Sequence, residues 1–235
     1  MEGRLVVQTR MRLGIARRMQ ESKQQAPHFY AQTDVVMDPL LARIEHLNES
    51  DPLTRITVTA LLVAACAEVL RAQPKLNCVW TKDGLLEASA INIGVAIALD
   101  EGLMAPALLG ADAMTLPELA SALRDLVERA KNQRLRPNEI SDATFTLSNL
   151  GMFDVSAFTA IITPPQVAIL AVGRPQERWR LEDREPLAEQ VMTATLSADH
   201  RAVDGVDAAR FLEAFKTALE RDDAPQSMQA KEVVS

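Results

Sequence analysis

Cysteine is scarce in this sequence. Only Cys66 and Cys78 occur in 235 residues, both in apolar surroundings, and no CxxC pair exists. That pattern argues against a zinc site and against a disulfide framework, so buried free thiols in a reducing compartment are expected. A basic excess is missing too. The net charge of -7 and the pI near 5.1 argue against a surface built for nucleic acid or an anionic membrane. A local basic cluster does stand near the N-terminus: Arg10, Arg12, Arg17, Arg18 and Lys23. The opening "MEGRLVVQTRMR" lacks the apolar core of a secretory signal. The longest apolar run, "ITVTALLVAACAEVL", falls short of the ~20 residues that span a bilayer. The expectation is therefore no nucleic-acid or membrane partner, and a cytoplasmic location of bacterial type rather than the mitochondrial matrix. Repeats, low-complexity tracts and Gly/Ser linkers are also absent. One domain over residues 1–222 is expected, followed by a polar tail at 223–235.

What is present alternates between helical and strand patterns. "RLGIARRMQESKQQ" reads as a helix stopped by Pro27, and "HFYAQTDVVM" as a strand. Asp38-Pro39 reads as an N-cap followed by proline at the first helical position. The segment from about Thr57 to Gln73 is apolar nearly all round and predicts a central helix. Ile91, Ile93, Val95, Ile97 and Leu99 alternate as one buried strand face. Thr115 and Glu118 form a capping box at the start of an amphipathic helix. Strands are then expected at "ATFTLSN", "FTAII", "QVAILAVG" and "EQVMTATLSA". A final helix carries Ala208, Leu212, Phe215 and Leu219 on one stripe. The fold class is α/β (α+β), a mixed sheet with packed helices.

The chain holds three histidines, and one of them, His200, lies in "SADHRAVDG" between a strand and a helix. Such junctions place reactive groups on rigid elements. A neutral imidazole there suits general-base work on a hydroxyl or thiol, and equally suits a packed, hydrogen-bonded turn. Asp204 stands where an N-cap belongs, with Asp207 three residues later, so capping explains it without chemistry. Asp199 beside Arg201 reads as a surface pair of little energetic value.

"SADHRAVDG" resembles the H-x-x-x-D-G motif of the dihydrolipoamide acyltransferases, the E2 components of 2-oxo acid dehydrogenase complexes. Chloramphenicol acetyltransferase shares that fold and motif. Further matches follow in family order: "RRMQESKQQAPHF", "PKLNCVW", "NIGVAIALDEGLMAP", "ATFTLSNLGMF" and "TPPQVAILAVG". They run from about Arg12 to the end of the last helix.

The resemblance implies transfer of an acyl group between a dihydrolipoyl thiol and the thiol of coenzyme A, with no metal. His200 is then the general base. Ser148 is the hydroxyl that stabilises the tetrahedral oxyanion, with Asn149 supporting the site from the following turn. Asp204 supports the histidine loop, and Asp199 with Arg18 resembles an ion pair that holds it. His28 is expected to pack or hydrogen-bond near the substrate channel, Trp80 and Asn77 to shape the subunit, and His46 to lie at the surface. Family catalytic domains form trimers with the site between subunits, so a homotrimer is expected. A lipoylated carrier protein and a 2-oxo acid dehydrogenase component are the implied partners.

No lipoyl domain and no E3-binding domain is expected in this sequence, which leaves a free-standing enzyme or an excised domain as readings. Its polar end, "RDDAPQSMQAKEVVS", predicts a discrete trimer without a larger core. Leu109 and Gly110 replace a charged step common among relatives, which leaves the substrate open. Two other functions compete: a non-catalytic trimeric scaffold, and acyl transfer to a different small acceptor.

Overall fold

The structure is a computed structural model that describes residues 3–99 and 102–221. The tail on which the discrete trimer was expected lies outside the described residues. The first helix, α1 (Arg10–Gln25), starts on Thr9, whose hydroxyl accepts the Arg12 N–H, and stops before Pro27. Next come β1 (His28–Val36) and α2 (Asp38–Ser50). The N-cap of α2 is Met37 rather than Asp38. Asp38 turns its carboxylate instead to the Gln190 N–H at 2.8 Å. That bond ties the helix start to the neighbouring strand, so the aspartate serves tertiary structure where local capping was expected.

Helix α3 (Val58–Ala72) begins on a Thr57 cap and buries ten of its fifteen residues. Each fully buried leucine, such as Leu61 or Leu62, contributes roughly 1.5–3 kcal/mol of transfer free energy. The hairpin β2 (Cys78–Thr81) and β3 (Gly84–Glu87) follows it. The apolar alternation at 91–99 is real but its strand is broken. Strand β4 (Ile93–Val95) enters the main sheet, while β5 (Ile97–Leu99) pairs with β6 (Gly102–Met104) in a separate ribbon. Between them the Ala96 N–H goes to the Leu147 carbonyl. After β7 (Ala107–Leu108), Gly110 adopts φ 61°, a left-handed turn that favours glycine. Helix α4 (Leu116–Lys131) carries the expected Thr115/Glu118 box, and the short α5 (Pro137–Ser141) leads back to the sheet.

The last third holds β8 (Phe145–Asn149), β9 (Ala168–Val172), β10 (Gln176–Glu182), β11 (Glu185–Asp199) and α6 (Gly205–Glu220). The main sheet runs β1-β11-β9-β8-β4-β7, with β10 paired to the first half of β11. Strand β10 had no signature in the sequence, because all seven of its residues are exposed. Its two-residue turn, Asp183-Arg184, has positive φ at both positions, which matches the twist of a tight hairpin. "FTAII", expected as a strand, is irregular. It lies in the long connection from β8 to β9, which crosses close to the end of β9. A Cβ on Gly173 would fall 2.1 Å from the Ser156 carbonyl oxygen.

Strand β11 is central, and its alternation is instructive. Met192, Ala194, Leu196 and Ala198 join the core with α3 and α6. Thr193, Thr195, Ser197 and Asp199 point to the opposite face, yet they are buried as well. The sheet therefore has one apolar face under helices and one polar face. No helix among the described residues is long and apolar enough to cross a membrane.

Candidate active site

His200 is the first residue beyond β11, and its side chain is exposed. The loop around it is fixed on several sides. The Asp199 N–H donates to the Val167 carbonyl at 2.8 Å, and the His200 N–H to the Pro27 carbonyl at 3.0 Å. The imidazole lies against Phe29, with ring centroids 4.5 Å apart. Two residues of the "PHF" motif thus hold the histidine's backbone and one face of its ring.

The third residue of that motif acts elsewhere. The Ile162 backbone N–H donates to His28 Nε2 at 3.1 Å, which leaves Nδ1 as the protonated nitrogen, donating to the Ala26 carbonyl at 2.8 Å. Both ring nitrogens are therefore engaged by backbone. Ser22 Oγ donates to the carbonyl of the same Ile162 at 2.6 Å and is buried. The serine and histidine of "RRMQESKQQAPHF" together clamp the connection between β8 and β9.

The expected pairing of Asp199 with Arg18 does not form in the chain. Asp199 is 1% exposed, and Arg201 takes up its carboxylate through Nε at 3.0 and 3.1 Å, Nη2 at 2.6 Å and the backbone N–H at 3.0 Å. Arg18 is exposed on α1. Nor is the Asp199–Arg201 pair a weak surface contact, since a buried carboxylate that lost its cation would be costly. The Asp199 hydrogen bonds hold the Arg201 guanidinium above its ordinary pKa. Its central carbon stands 4.3 Å from the Trp80 ring centroid.

Asp204 is the N-cap of α6, accepting the N–H groups of Val206 at 2.9 Å and Asp207 at 3.0 Å, and Asp207 returns the bond. Lys75 pairs with Asp207 and approaches Asp204 at 3.8 Å. That hydrogen bond raises the Lys75 pKa and lowers that of Asp207. The capping reading of Asp204 thus matches the geometry, with a lysine clamp that the sequence did not announce.

Ser148 is half-buried near the end of β8. Asn149 beside it donates to Thr59 Oγ1 at 3.1 Å and accepts the Gly151 N–H at 2.7 Å, which anchors the turn to the start of α3. Thr146, on the same face as Ser148, donates to Gln166 Oε1 at 2.6 Å.

The sheet register separates Ser148 from His200. Ser148 pairs with Ala171, and Ala171 pairs with Thr195 on β11. His200 lies five residues beyond Thr195. At ~3.3 Å per residue and ~4.8 Å per strand, the two backbones are about 19 Å apart, toward opposite ends of the strands. Within one chain they cannot meet around one reacting carbon.

Residues 2–229 match a family described as 2-oxoacid dehydrogenases acyltransferase (catalytic domain). The chain belongs to this family. It is 42% identical over 214 residues to the dihydrolipoyllysine-residue acetyltransferase component of a pyruvate dehydrogenase complex from Zymomonas mobilis, covering 90% of this chain and 48% of that one. The chain spans about half the length of the curated relatives it matches. A dihydrolipoamide acetyltransferase structure from Azotobacter vinelandii is 28% identical, with a TM-score of 0.88 and coverage of 93% and 91%. It was determined to investigate the role of a serine, a histidine and an asparagine in that enzyme's catalytic mechanism. A chloramphenicol acetyltransferase has the same fold, at a TM-score of 0.59 and 12% identity, over 87% of this chain and 94% of that one.

Sequence reasoning missed Pro27, Phe29, Ser22, Lys75 and Arg201 as parts of the site's frame. All lie inside the quoted motifs, but their roles are contacts across more than a hundred residues of chain, or within a turn whose burial no spacing reveals. Among the described residues, no group of three or more His, Cys, Asp or Glu side chains is placed to hold a metal ion.

Proposed function

We propose that the chain is the acyltransferase unit of a 2-oxo acid dehydrogenase system, exchanging an acyl group between coenzyme A and a dihydrolipoyl thiol supplied by a lipoylated carrier. The observation that carries this reading is the contrast between the two motif residues. His200 is braced yet exposed, Ser148 is on the sheet's polar face, and about 19 Å separates them. A second copy of the chain is needed to complete the site, and a closed ring such as a trimer lets every copy lend its His200 to the next copy's Ser148.

The chemistry follows from these roles. A thiol with an ordinary pKa near ~8.5 is mostly protonated at neutral pH, so a base is needed. The His200 imidazole takes the S–H proton, and the thiolate attacks the thioester carbonyl carbon. The Ser148 hydroxyl donates to the oxyanion of the tetrahedral intermediate, a contact whose loss typically costs about 2.7–4 kcal/mol. Collapse breaks the bond to the original sulfur, and that thiolate recovers the proton from the imidazolium. Asp204 and Asn149 contribute by holding the backbone at the two half-sites.

The test is steady-state transfer from acetyl-CoA to dihydrolipoamide, run beside His200→Ala. Turnover that falls by ~10²-fold or more in the variant supports the base role. A folded oligomer that turns over neither acetyl, succinyl nor branched-chain donors sinks the reading. It then favours a scaffold, or a different small acceptor.

A further inference from the structure

We propose that Trp80 and Arg201 are positioning residues that set the orientation of His200. The inference rests on the reading of His200 as the base. Asp199 and Arg201 flank the histidine and close on one another through a carboxylate–guanidinium pair, so the turn carrying His200 is shaped by that pair. The carboxylate holds the guanidinium at its edge only. Its flat face is held by the Trp80 indole, 4.3 Å away. Stacking on an aromatic face suits the planar arginine and not a lysine.

Trp80 is itself well fixed. Its backbone N–H donates to the Pro165 carbonyl at 2.7 Å, and its neighbour Val79 bridges Gln166. Two residues further along, Val167 accepts the Asp199 N–H at 2.8 Å. The segment Pro165–Val167 thus holds both the indole and the end of β11 in one frame. Without the indole the guanidinium keeps its carboxylate but gains freedom to swing, and the histidine turn swings with it. A displacement of about 1 Å in a reacting group costs on the order of 10²-fold in rate.

The experiment uses the assembled protein with isotope-labelled histidine, in the parent and in Trp80→Leu, Trp80→Phe and Arg201→Lys. The ring-carbon resonance of His200, assigned by its loss in His200→Ala, is expected to be displaced in the parent by the Phe29 ring, whose centroid lies 4.5 Å away. In Trp80→Leu and Arg201→Lys it is expected to move toward the resonance of the exposed His46, while that of His28 stays in place. The kcat for acetyl transfer is expected to fall by about 10- to 10²-fold with KM unchanged, and Trp80→Phe to restore most of both. A His200 resonance that stays at its parental position in Trp80→Leu and Arg201→Lys overturns the proposal, whatever the turnover. So does an equal change in kcat and KM. If the parent shows no turnover at all, the acyltransferase reading fails, and the resonance alone decides the positioning role. Should Trp80→Leu disturb the His28 resonance and so report misfolding, Arg201→Lys carries the same test.

Discussion

His28 and Ile162 are joined side chain to backbone: Nε2 of the imidazole accepts the Ile162 N–H at 3.1 Å, across 134 residues of sequence. The opposite nitrogen is spent on Ala26. A histidine so engaged cannot serve as the base, and its removal should be felt in stability. His28→Ala is expected to lower unfolding free energy by about 1–3 kcal/mol, the cost of leaving a backbone donor unpaired. The pH dependence of kcat should keep its shape. Urea unfolding and a pH–rate profile check the two halves. A lost titration step in the profile would contradict the assignment.

Asp204 separates a capping role from a chemical one. Asp204→Asn retains an acceptor for the Val206 and Asp207 N–H groups, so thermal stability should change little and activity should persist. Asp204→Ala removes the cap and is expected to cost about 0.5–2 kcal/mol, because alanine offers no acceptor. If the asparagine variant loses turnover as completely as the alanine variant while remaining folded, the aspartate does more than cap its helix.

The helices and the central strands were legible because their patterns are local. Ala208, Leu212, Phe215 and Leu219 repeat at helical spacing and are all buried. Thr115 with Glu118 announces a helix start in four residues. By contrast, "FTAII" has strand composition, but the backbone of its last residue, Ile162, bonds to the Ser22 and His28 side chains, two tertiary contacts no periodicity encodes. Strand β10 failed the other way: it pairs fully with β11 while burying nothing, so it carries no alternation. At the candidate site, the motifs pointed to His200 and Ser148. They did not reveal that Arg201 rather than Arg18 satisfies Asp199, since both arginines stand in plausible positions and only the fold of the turn after β11 brings Arg201 onto the carboxylate.

Acid should loosen the junction of α4 and α5. Glu139 is 4% exposed and accepts hydrogen bonds from Arg129 and from the Arg136 N–H. The Arg129 contact, foremost, holds its carboxyl below the ordinary range. A carboxyl lowered in the folded state stabilises fully above its unfolded pKa of ~4.3, and that contribution is lost as pH falls through the folded value. Glu139→Gln should therefore be less stable than the parent at neutral pH, with the gap closing as the medium is acidified. Thermal scans over a pH series check this. A gap that stays constant would show that the pair's charge is not what matters.

The central claim is that one site is built from two copies of the chain, and complementation tests it most directly. Ser148→Ala and His200→Ala chains are each expected to be nearly inactive alone. Unfolded together and reassembled in equal amounts, random mixing in a closed ring gives about a quarter of sites an intact Ser148 and an intact His200 from adjacent copies. The account predicts that about a quarter of parental turnover returns on mixing. Mixed oligomers no more active than the single variants would contradict it, and would place serine and histidine within one chain.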